Sequence, residues 1–491
     1  MIANIKMTND FVIYSVNSNG ILKTTTFVNH DEIDDVVWYV FVDSKAKLHP
    51  DIGKIIVHNG HVHRDVEIFY GDEVCLSKDN RTVNYLCKPS FDRTLFLSQE
   101  YMGLPVAIRA RSIGNLIPDY NVSYSRLWLY EVCVRAVVGG TAVERITEVL
   151  AVHPEGRSEL DPIKRRDIWR KVASESLALA DCEIVTGLQN NLLQLRRNFT
   201  LFPHVTLVIP TRQSVAPAEE YSSSLRPMIL NLLDSLDNTD WPKDRMKVLV
   251  GDDLEDGSIY AENEYSFEFQ RIVTHRAETQ NFNYASKMNA LWKAVDGEYI
   301  VFLNDDIQVR SPGWLHALMT FAVDKSVGGV GARLLYPDGR LQHVGMPGGA
   351  YGPCTHVFIG MQSDEKTYQD WAIVQREWSM VTGAVFATRR STLEQLDGFD
   401  ESFPLDYNDV DLCLRMRLVG LRVVYTPYSE LIHFESATRG RKFPAAEYTA
   451  IFYEKWKSYI CDDPSYHPHL SRNSPLISPN FNTNDWWNCF V

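Results

Sequence analysis

From residue 205 onward the hydrophobic positions switch repeatedly between two periods. The run VTLVIP at 205–210 is a continuous apolar stretch of strand length, after which Leu225, Ile229, Leu232, Leu233 and Leu236 recur at helical spacing. MKVLVGDD (246–253) predicts a second strand, 271–275 a third, 284–294 a helix and YIVFLNDD (299–306) a fourth strand. This alternation predicts an α/β fold with a parallel sheet and crossover helices. VTGAVFATRR (381–390) predicts a further strand. DVDLCLRMRLVG predicts an amphipathic helix ending at Gly420, and LRVVYTP a strand closed by Pro427, with a polar loop over 431–439. Polar residues cluster just beyond the strands' carboxyl ends, where open α/β sheets bind ligands.

The first half is also rich in short apolar runs. Between the two regions, 161–197 is charged and helix-permissive, and its KRRDIWRK segment reads as a solvated helix face. A chain of 491 residues exceeds the size of one hydrophobic core. The expected division is a first domain over 1–160, a helical linker over 161–200, a second domain over 201–460 and a tail over 461–491. Trp486, Trp487 and Phe490 in the tail are expected to pack on the second domain.

The net charge of -14 argues against nucleic acid or an anionic membrane as a non-specific partner, without excluding a local phosphate site. Eight scattered cysteines with no C-x-x-C pair argue against a zinc ribbon or a disulfide scaffold, and suggest a reducing compartment. The N-terminal segment lacks a signal-peptide pattern and no apolar run approaches bilayer length, so a cytoplasmic location is expected. Homo-oligomerisation stays open.

Candidate chemistry concentrates at strand ends. Asp305 and Asp306 place carboxylates where Mg²⁺ or Mn²⁺ can sit, since these cations take hard oxygen ligands together with substrate phosphates. They could equally cap a turn. Asp252 and Asp253 end another strand and suit a nucleobase or ribose, or simply a turn. Asp409 opens a helix, where free N–H groups keep a carboxylate ionised, as a general base requires and as an N-cap also would be. Asp411 and Arg415 stand four residues apart and predict an ion pair. His433, followed by Glu435, Ser436, Thr438, Arg439, Arg441 and Lys442, could complete a metal shell beside groups that hold a diphosphate.

Taken in order, IPTR, VLVGDD, NFNYASKMNAL, VFLNDDIQV, LLYPDGRLQHVG, WSMVTGAVFATRR, GFDESF and NDVDLCLRMRLVGLRVVYTPYSELIHFESATRG resemble the family 2 glycosyltransferases of GT-A fold, particularly bacterial enzymes of O-antigen and surface polysaccharide assembly. The resemblance implies a nucleotide-diphosphate sugar donor, a glycan or glycoconjugate acceptor, Mn²⁺ or Mg²⁺, and transfer with inversion. It implies that Pro210, Thr211, Arg212, Asp252 and Asp253 hold the nucleotide, that Asn304 and Asp305 fill the D-x-D position, and that Asp306 and His433 hold the metal. Asn304 departs from the Asp that many relatives carry. Asp409, preceded by Asn408, matches the base. Trp378, Thr382 and Gly383 match the segment bordering acceptor and donor sugar, and Arg439 and Lys442 a loop over the diphosphate.

The first half echoes the second. YVFVDSKAKLHPDI (39–52) parallels IVFLNDDIQVRSPGW, and 124–153 parallels the segment ending at His433. This register sets Ser44 opposite Asp306, Leu129 opposite Asp409, Arg135 opposite Arg415 and His153 opposite His433. A truncated, degenerate GT-A-like domain without catalytic residues is therefore expected, one that begins too late to contain a nucleotide strand. Three other readings compete: a nucleotidyltransferase of similar fold, a non-catalytic carbohydrate-binding module, and transfer to protein or modified nucleic acid.

Overall fold

The computed structural model describes residues 11–16, 23–25, 38–77, 83–113, 126–154, 156–157, 159–215, 226–261, 263–274, 282–435 and 444–480. The chain divides into two compact units. One comprises residues 1–195 with 467–470 and 479–491, the other residues 196–466 with 471–478. Among the described residues no helix is long and apolar enough to cross a membrane.

The first unit contains β1 (Phe11–Val16), β2 (Lys23–Thr25), β3 (Trp38–Asp43), β4 (Lys47–Leu48), α1 (Ile52–Val62), β5 (Ile68–Leu76), β6 (Val83–Leu86), α2 (Arg93–Ser98), β7 (Val106–Arg109), α3 (Ala110–Ile113), α4 (Arg126–Val138), β8 (Val143–His153), α5 (Pro162–Ser174) and β9 (Cys182–Thr186). Its sheet runs β2-β1-β3-β7-β5-β8-β4, with β6 paired to β5. Trp38, Val40, Ile56, Phe69 and Leu150 pack one core between sheet and α1. The expected linker is not a continuous helix. Asp161 caps α5 by accepting from the Ile163 and Lys164 amides, but helix ends at Ser174, and β9 then pairs with β10 (Leu193–Arg197). Trp169 explains why α5 belongs to the first unit: it is buried and donates Nε1–H to the Tyr130 hydroxyl at 2.9 Å. Arg165, within the supposedly solvated basic run, is buried too.

The second unit contains β11 (Val205–Thr211), α6 (Met228–Leu236), β12 (Met246–Asp252), β13 (Glu268–Val273), α7 (Tyr284–Lys293), β14 (Tyr299–Leu303), β15 (Ile307–Val309), α8 (Trp314–Ala322), β16 (Val327–Leu335), β17 (Leu341–His343), β18 (Arg376–Glu377), β19 (Val385–Arg389), α9 (Arg390–Leu396), α10 (Asn408–Leu418), β20 (Arg422–His433) and α11 (Ala446–Cys461). The sheet order is β13-β12-β11-β14-β19-β16-β20-β15. β11 to β14 are mutually parallel where they pair, and β11, β12 and β14 are buried almost throughout. The sheet is mixed, because β19 is antiparallel to both β14 and β16.

Two strand expectations are corrected. Pro427 does not end β20: the ladder with β16 passes from Thr426 to Glu430 across an irregularity, so the proline falls where no amide is needed, and pairing resumes to His433. The run at 381–390 is strand only from Val385, because the Thr382 and Gly383 amides are directed to side chains.

Candidate active site

The carboxyl ends of β11, β12 and β14 bring three predicted segments together. Thr211 is the register partner of Asp252, and its hydroxyl donates to Asp305 Oδ2 at 2.6 Å. Pro210 and Thr211 are buried within β11, and Arg212 is exposed beyond it. Asp252 is fully buried. It accepts from Arg271 Nε (2.9 Å), Gln213 Nε2 (2.8 Å), the Tyr260 hydroxyl (3.1 Å) and the Leu254 amide (3.0 Å). Its charge is thus spent on the loop that frames the strand ends. Asp253 is the more open of the two and is held by Lys287 Nζ (2.6 Å) and the Thr274 hydroxyl (2.8 Å).

Lys287, within the NFNYASKMNAL segment, is a further residue of this site. It sits on α7, which Asn283 caps through its side chain, and its ammonium also reaches the Thr211 carbonyl at 3.1 Å. Burial lowers its pKa, opposed by Asp253. Burial and the neighbouring Asp306 push Asp305 up to about 7. Two adjacent carboxylates that disfavour joint ionisation make a place where a cation is welcome.

Asp306 and His433 are adjacent and buried, with Nε2 to Oδ1 at 3.1 Å. Pairing of β15 with β20 sets Ile307 opposite His433 and so brings the two side chains together. Gln342, on β17, decides the imidazole's tautomer. Its Nε2 donates to the His433 carbonyl and to Glu435 Oε2, both at 3.2 Å, so its Oε1 accepts from His433 Nδ1–H at 2.7 Å. In the neutral ring the Nε2 lone pair therefore faces a carboxylate oxygen, which is favourable only with a proton or a cation between them. Burial alone would lower the His433 pKa, but the charge and hydrogen bond of Asp306 outweigh it and the pKa is raised. The Asn304 amide nitrogen stands 3.4 Å from the same Nε2.

Asp409 lies in the first turn of α10, preceded by Tyr407 with φ 66°. Its Oδ2 accepts the Gly383 amide at 2.7 Å and its Oδ1 the Val410 amide at 2.8 Å. A Cβ at Gly383 would stand 2.9 Å from the Asp409 Cβ, so glycine permits this approach. The predicted Asp411–Arg415 pair forms at 2.7 Å. Asn408 is buried and donates to the Leu405 carbonyl at 3.0 Å, which makes it part of the turn.

Trp378 has no exposed surface, and the Arg376 guanidinium lies 3.6 Å from its ring centroid. Arg439 and Lys442 lie outside the described residues, as do Trp486, Trp487 and Phe490. In the first unit Asp72, His467 and His469 gather as a metal site might. His467 Nδ1, however, accepts the His469 amide at 3.0 Å, so Nε2 carries a proton toward Asp72 Oδ2 at 2.7 Å and offers no lone pair to a cation.

The model of the family described as "Glycosyltransferase like family 2" matches residues 203–450. The chain is 25% identical to an uncharacterized protein of Sinorhizobium fredii over 91% of this chain and 50% of that one. It is 39% identical to the O-antigen biosynthesis protein RfbC of Myxococcus xanthus over 39% of this chain and 15% of that protein. It is 27% identical to an N-acetylglucosaminyl-diphospho-decaprenol L-rhamnosyltransferase of Mycobacterium tuberculosis over 31% of this chain and 52% of that protein. The chain thus spans about half or less of these relatives' length. Among solved structures, a mannosyltransferase of Pyrobaculum calidifontis in complex with GDP-Man and Mn²⁺ is similar at 19% identity and a TM-score of 0.33, over 49% of this chain and 59% of that one. With the family model spanning the whole second sheet, the chain belongs to the family 2 glycosyltransferases, with their GT-A fold.

Proposed function

We propose that the second unit transfers a sugar from a nucleotide-diphosphate sugar to an acceptor hydroxyl on a glycan or glycoconjugate, with inversion and with Asp409 as general base. The observation that carries this reading is the pinning of Asp409. Two amides hold its carboxylate at the start of α10 and fix its direction. Asp306 and His433 would hold Mn²⁺ or Mg²⁺, and the fit rests on the His433 lone pair that Gln342 aims at Asp306. When bound, the cation neutralises charge on the departing nucleoside diphosphate. Thr211, Asp253 and Lys287 order the strand ends toward the nucleotide, while Asp409 takes the acceptor proton as the hydroxyl attacks the anomeric carbon from the face opposite the diphosphate. The names of the relatives, O-antigen biosynthesis and rhamnosyl transfer, favour a surface-polysaccharide acceptor.

The first unit is proposed to be a non-catalytic copy of the same fold. Asp409→Asn should keep binding of sugar nucleotide with Mn²⁺, read as thermal stabilisation, and lose about 10²–10⁴-fold in transfer. Near-normal transfer by that variant would refute the base assignment.

A further inference from the structure

Asp409 stands between two residues that both grip α11, Tyr407 before it and Asp411 after it. Tyr407 is the more unusual. Its φ of 66° is left-handed, a conformation that a bulky residue adopts only where its surroundings hold it. Its carbonyl accepts the Asp411 amide at 2.9 Å and so closes the first turn of α10. The backbone at Tyr407 therefore sets the direction in which Asn408 and Asp409 leave the turn, and with it the approach of Asp409 Oδ2 to the Gly383 amide.

The hold comes from α11. The Tyr407 ring stacks on Phe452, with centroids 4.5 Å apart and planes tilted by 15°, and Phe403 meets both rings edge-on. Phe452 and Phe403 have no exposed surface. Thr449 fixes the far end of the tyrosine. Its hydroxyl donates to the Ala445 carbonyl at 3.1 Å, so its oxygen is left to accept from the Tyr407 hydroxyl, also at 3.1 Å. Farther along the same helix, Trp456 Nε1 and Lys455 Nζ reach Asp411 Oδ1 at 2.9 and 2.8 Å. Thr449, Phe452 and Trp456 recur at helical spacing, so one face of α11 carries these grips. Filling the space between α10 and α11 needs only the ring. The left-handed backbone is a separate feature, and it is the one that reaches Asp409.

We infer that Tyr407 is a positioning residue for Asp409: α11 clamps its ring, the clamp maintains the left-handed turn, and the turn aims the carboxylate. The inference rests on the proposed base role for its catalytic meaning. The clamp itself rests on contacts alone, so the two can fail separately.

The test uses the full chain labelled with ¹⁵N at glycine and has two readouts. The first, without substrate, is hydrogen exchange of the Gly383 amide. The second is release of nucleoside diphosphate with Mn²⁺ and, in turn, UDP-glucose, UDP-N-acetylglucosamine, GDP-mannose and dTDP-rhamnose, with water standing in for the acceptor hydroxyl. Tyr407→Phe keeps the stack and should stay near the parent in both. Tyr407→Ala keeps the steric penalty of a Cβ at positive φ and loses the clamp. It should speed Gly383 exchange by about five- to tenfold, the worth of one hydrogen bond, and lower kcat by about 10²-fold with KM for the sugar nucleotide unchanged. Tyr407→Gly also loses the clamp, but glycine takes positive φ freely, so its kcat should exceed that of Tyr407→Ala and its Gly383 exchange should be slower. That order is the signature of the turn, because a residue that only fills space would lose at least as much as glycine as it does as alanine. Phe452→Leu, which removes the stack from the other side, should move both readouts in the direction of Tyr407→Ala. Parent exchange at Gly383 in Tyr407→Ala, parent kcat in that variant, or a Tyr407→Gly no better than Tyr407→Ala in either readout would overturn the inference. If the exchange follows the stated order while Asp409→Asn turns over the sugar nucleotide like the parent, the base reading falls, and the catalytic meaning of the clamp falls with it. If the parent turns over none of the four nucleotides, the Gly383 exchange decides alone.

Discussion

Laid side by side, the two units show one topology put to two uses. The order β3-β7-β5-β8-β4 in the first repeats as β14-β19-β16-β20-β15 in the second, and each pair keeps its parallel or antiparallel sense. β6 sits on β5 as β17 sits on β16. The registers agree residue by residue: Trp38 faces Arg109 as Tyr299 faces Arg389, and Ile68 faces Val143 as Gly329 faces Val423. Arg109 and Arg389 both bond to the carbonyls that lead into the next strand of their own sheet. α4 and α10 both close at a glycine with φ 81°, Gly140 and Gly420.

This register refines the sequence alignment. Ser44 falls opposite Asp305 and Lys45 opposite Asp306, one position from the expected pairing, while Leu129 opposite Asp409 and His153 opposite His433 stand. The first unit also begins earlier than expected. β1 lies parallel to β3 as β11 lies to β14, but β2, its outer neighbour, is antiparallel where β12 is parallel. Among the described residues of the first unit, no strand takes the place of the one that carries Asp252.

The cleft shows the difference most directly. In the second unit Gly383 and Asp409 face one another across a hydrogen bond. In the first, the equivalent Gly103 and Leu129 line a cavity of about 20 Å³ with Val106 and Cys133, room for a single water. A buried Lys88 donates to Glu73 and to the Gly71 and Met102 carbonyls, and Glu73 also meets His153 at 2.9 Å. The first unit thus carries a fully buried ion pair, Lys88–Glu73, in its interior.

The largest effect should come from exchanging the bases. Asp409→Asn is expected to lose about 10²–10⁴-fold in transfer, and Leu129→Asp in that background should restore nothing, because its surroundings are filled. Any recovered transfer would break the contrast between the units.

Next is Lys88. Removing one partner of a buried pair leaves a buried charge, so Lys88→Met should cost about 3–5 kcal/mol in denaturant unfolding of the first unit. The pH dependence has a definite sign. Burial raises the Glu73 pKa, but Lys88 and Arg157 outweigh it and hold the pKa well below its ordinary value. A carboxyl depressed on folding contributes stability above its unfolded pKa of about 4.3, and this is lost as pH falls from about 5 toward the folded value. In the parent, the first unit should weaken over that window; in Lys88→Met, acid should relieve the buried charge instead.

Gln342 should act on the metal rather than on the fold. Gln342→Leu frees His433 Nδ1 and is expected to weaken Mn²⁺ binding about 10–100-fold by calorimetry. Its counterpart region in the first unit, around Leu86, should bind no Mn²⁺ in either protein.

Much of this was legible in sequence because it rests on local pattern. Strand-length apolar runs located β11, β12 and β14, and the spacing of Asp411 and Arg415 announced their pair. Convergence of Asp306 with His433 came from the family resemblance, and the β15–β20 ladder supplies its physical reason. What escaped depended on partners distant in the chain. Nothing near Trp169 tells that Tyr130 claims α5 for the first unit. Pro427 looked like a strand end because a bulge in the β16 ladder cannot be read from β20 alone. The contacts of Gln342 and Lys287 are made with residues far along the chain, which local pattern does not show.

The smallest effect tests the best-kept feature. Asp411–Arg415 and Glu131–Arg135 are the same i, i+4 pair in the two units, with nitrogen–oxygen distances of 2.7 and 2.8 Å. Their settings differ. The Asp411 side chain has no exposure and also accepts from Trp456 Nε1 at 2.9 Å and Lys455 Nζ at 2.8 Å. The Glu131 side chain is 20% exposed, and its second partner, Lys171, is 55% exposed. Asp411→Ala strands a buried indole N–H and a guanidinium, and should cost about 3 kcal/mol in unfolding of the second unit. Glu131→Ala loses a pair that water can replace, and should cost under about 1 kcal/mol. Equal losses would mean that the first unit still depends on this helix as the second does. The expected inequality would mean that the second unit depends on this pair for its helix while the first unit does not.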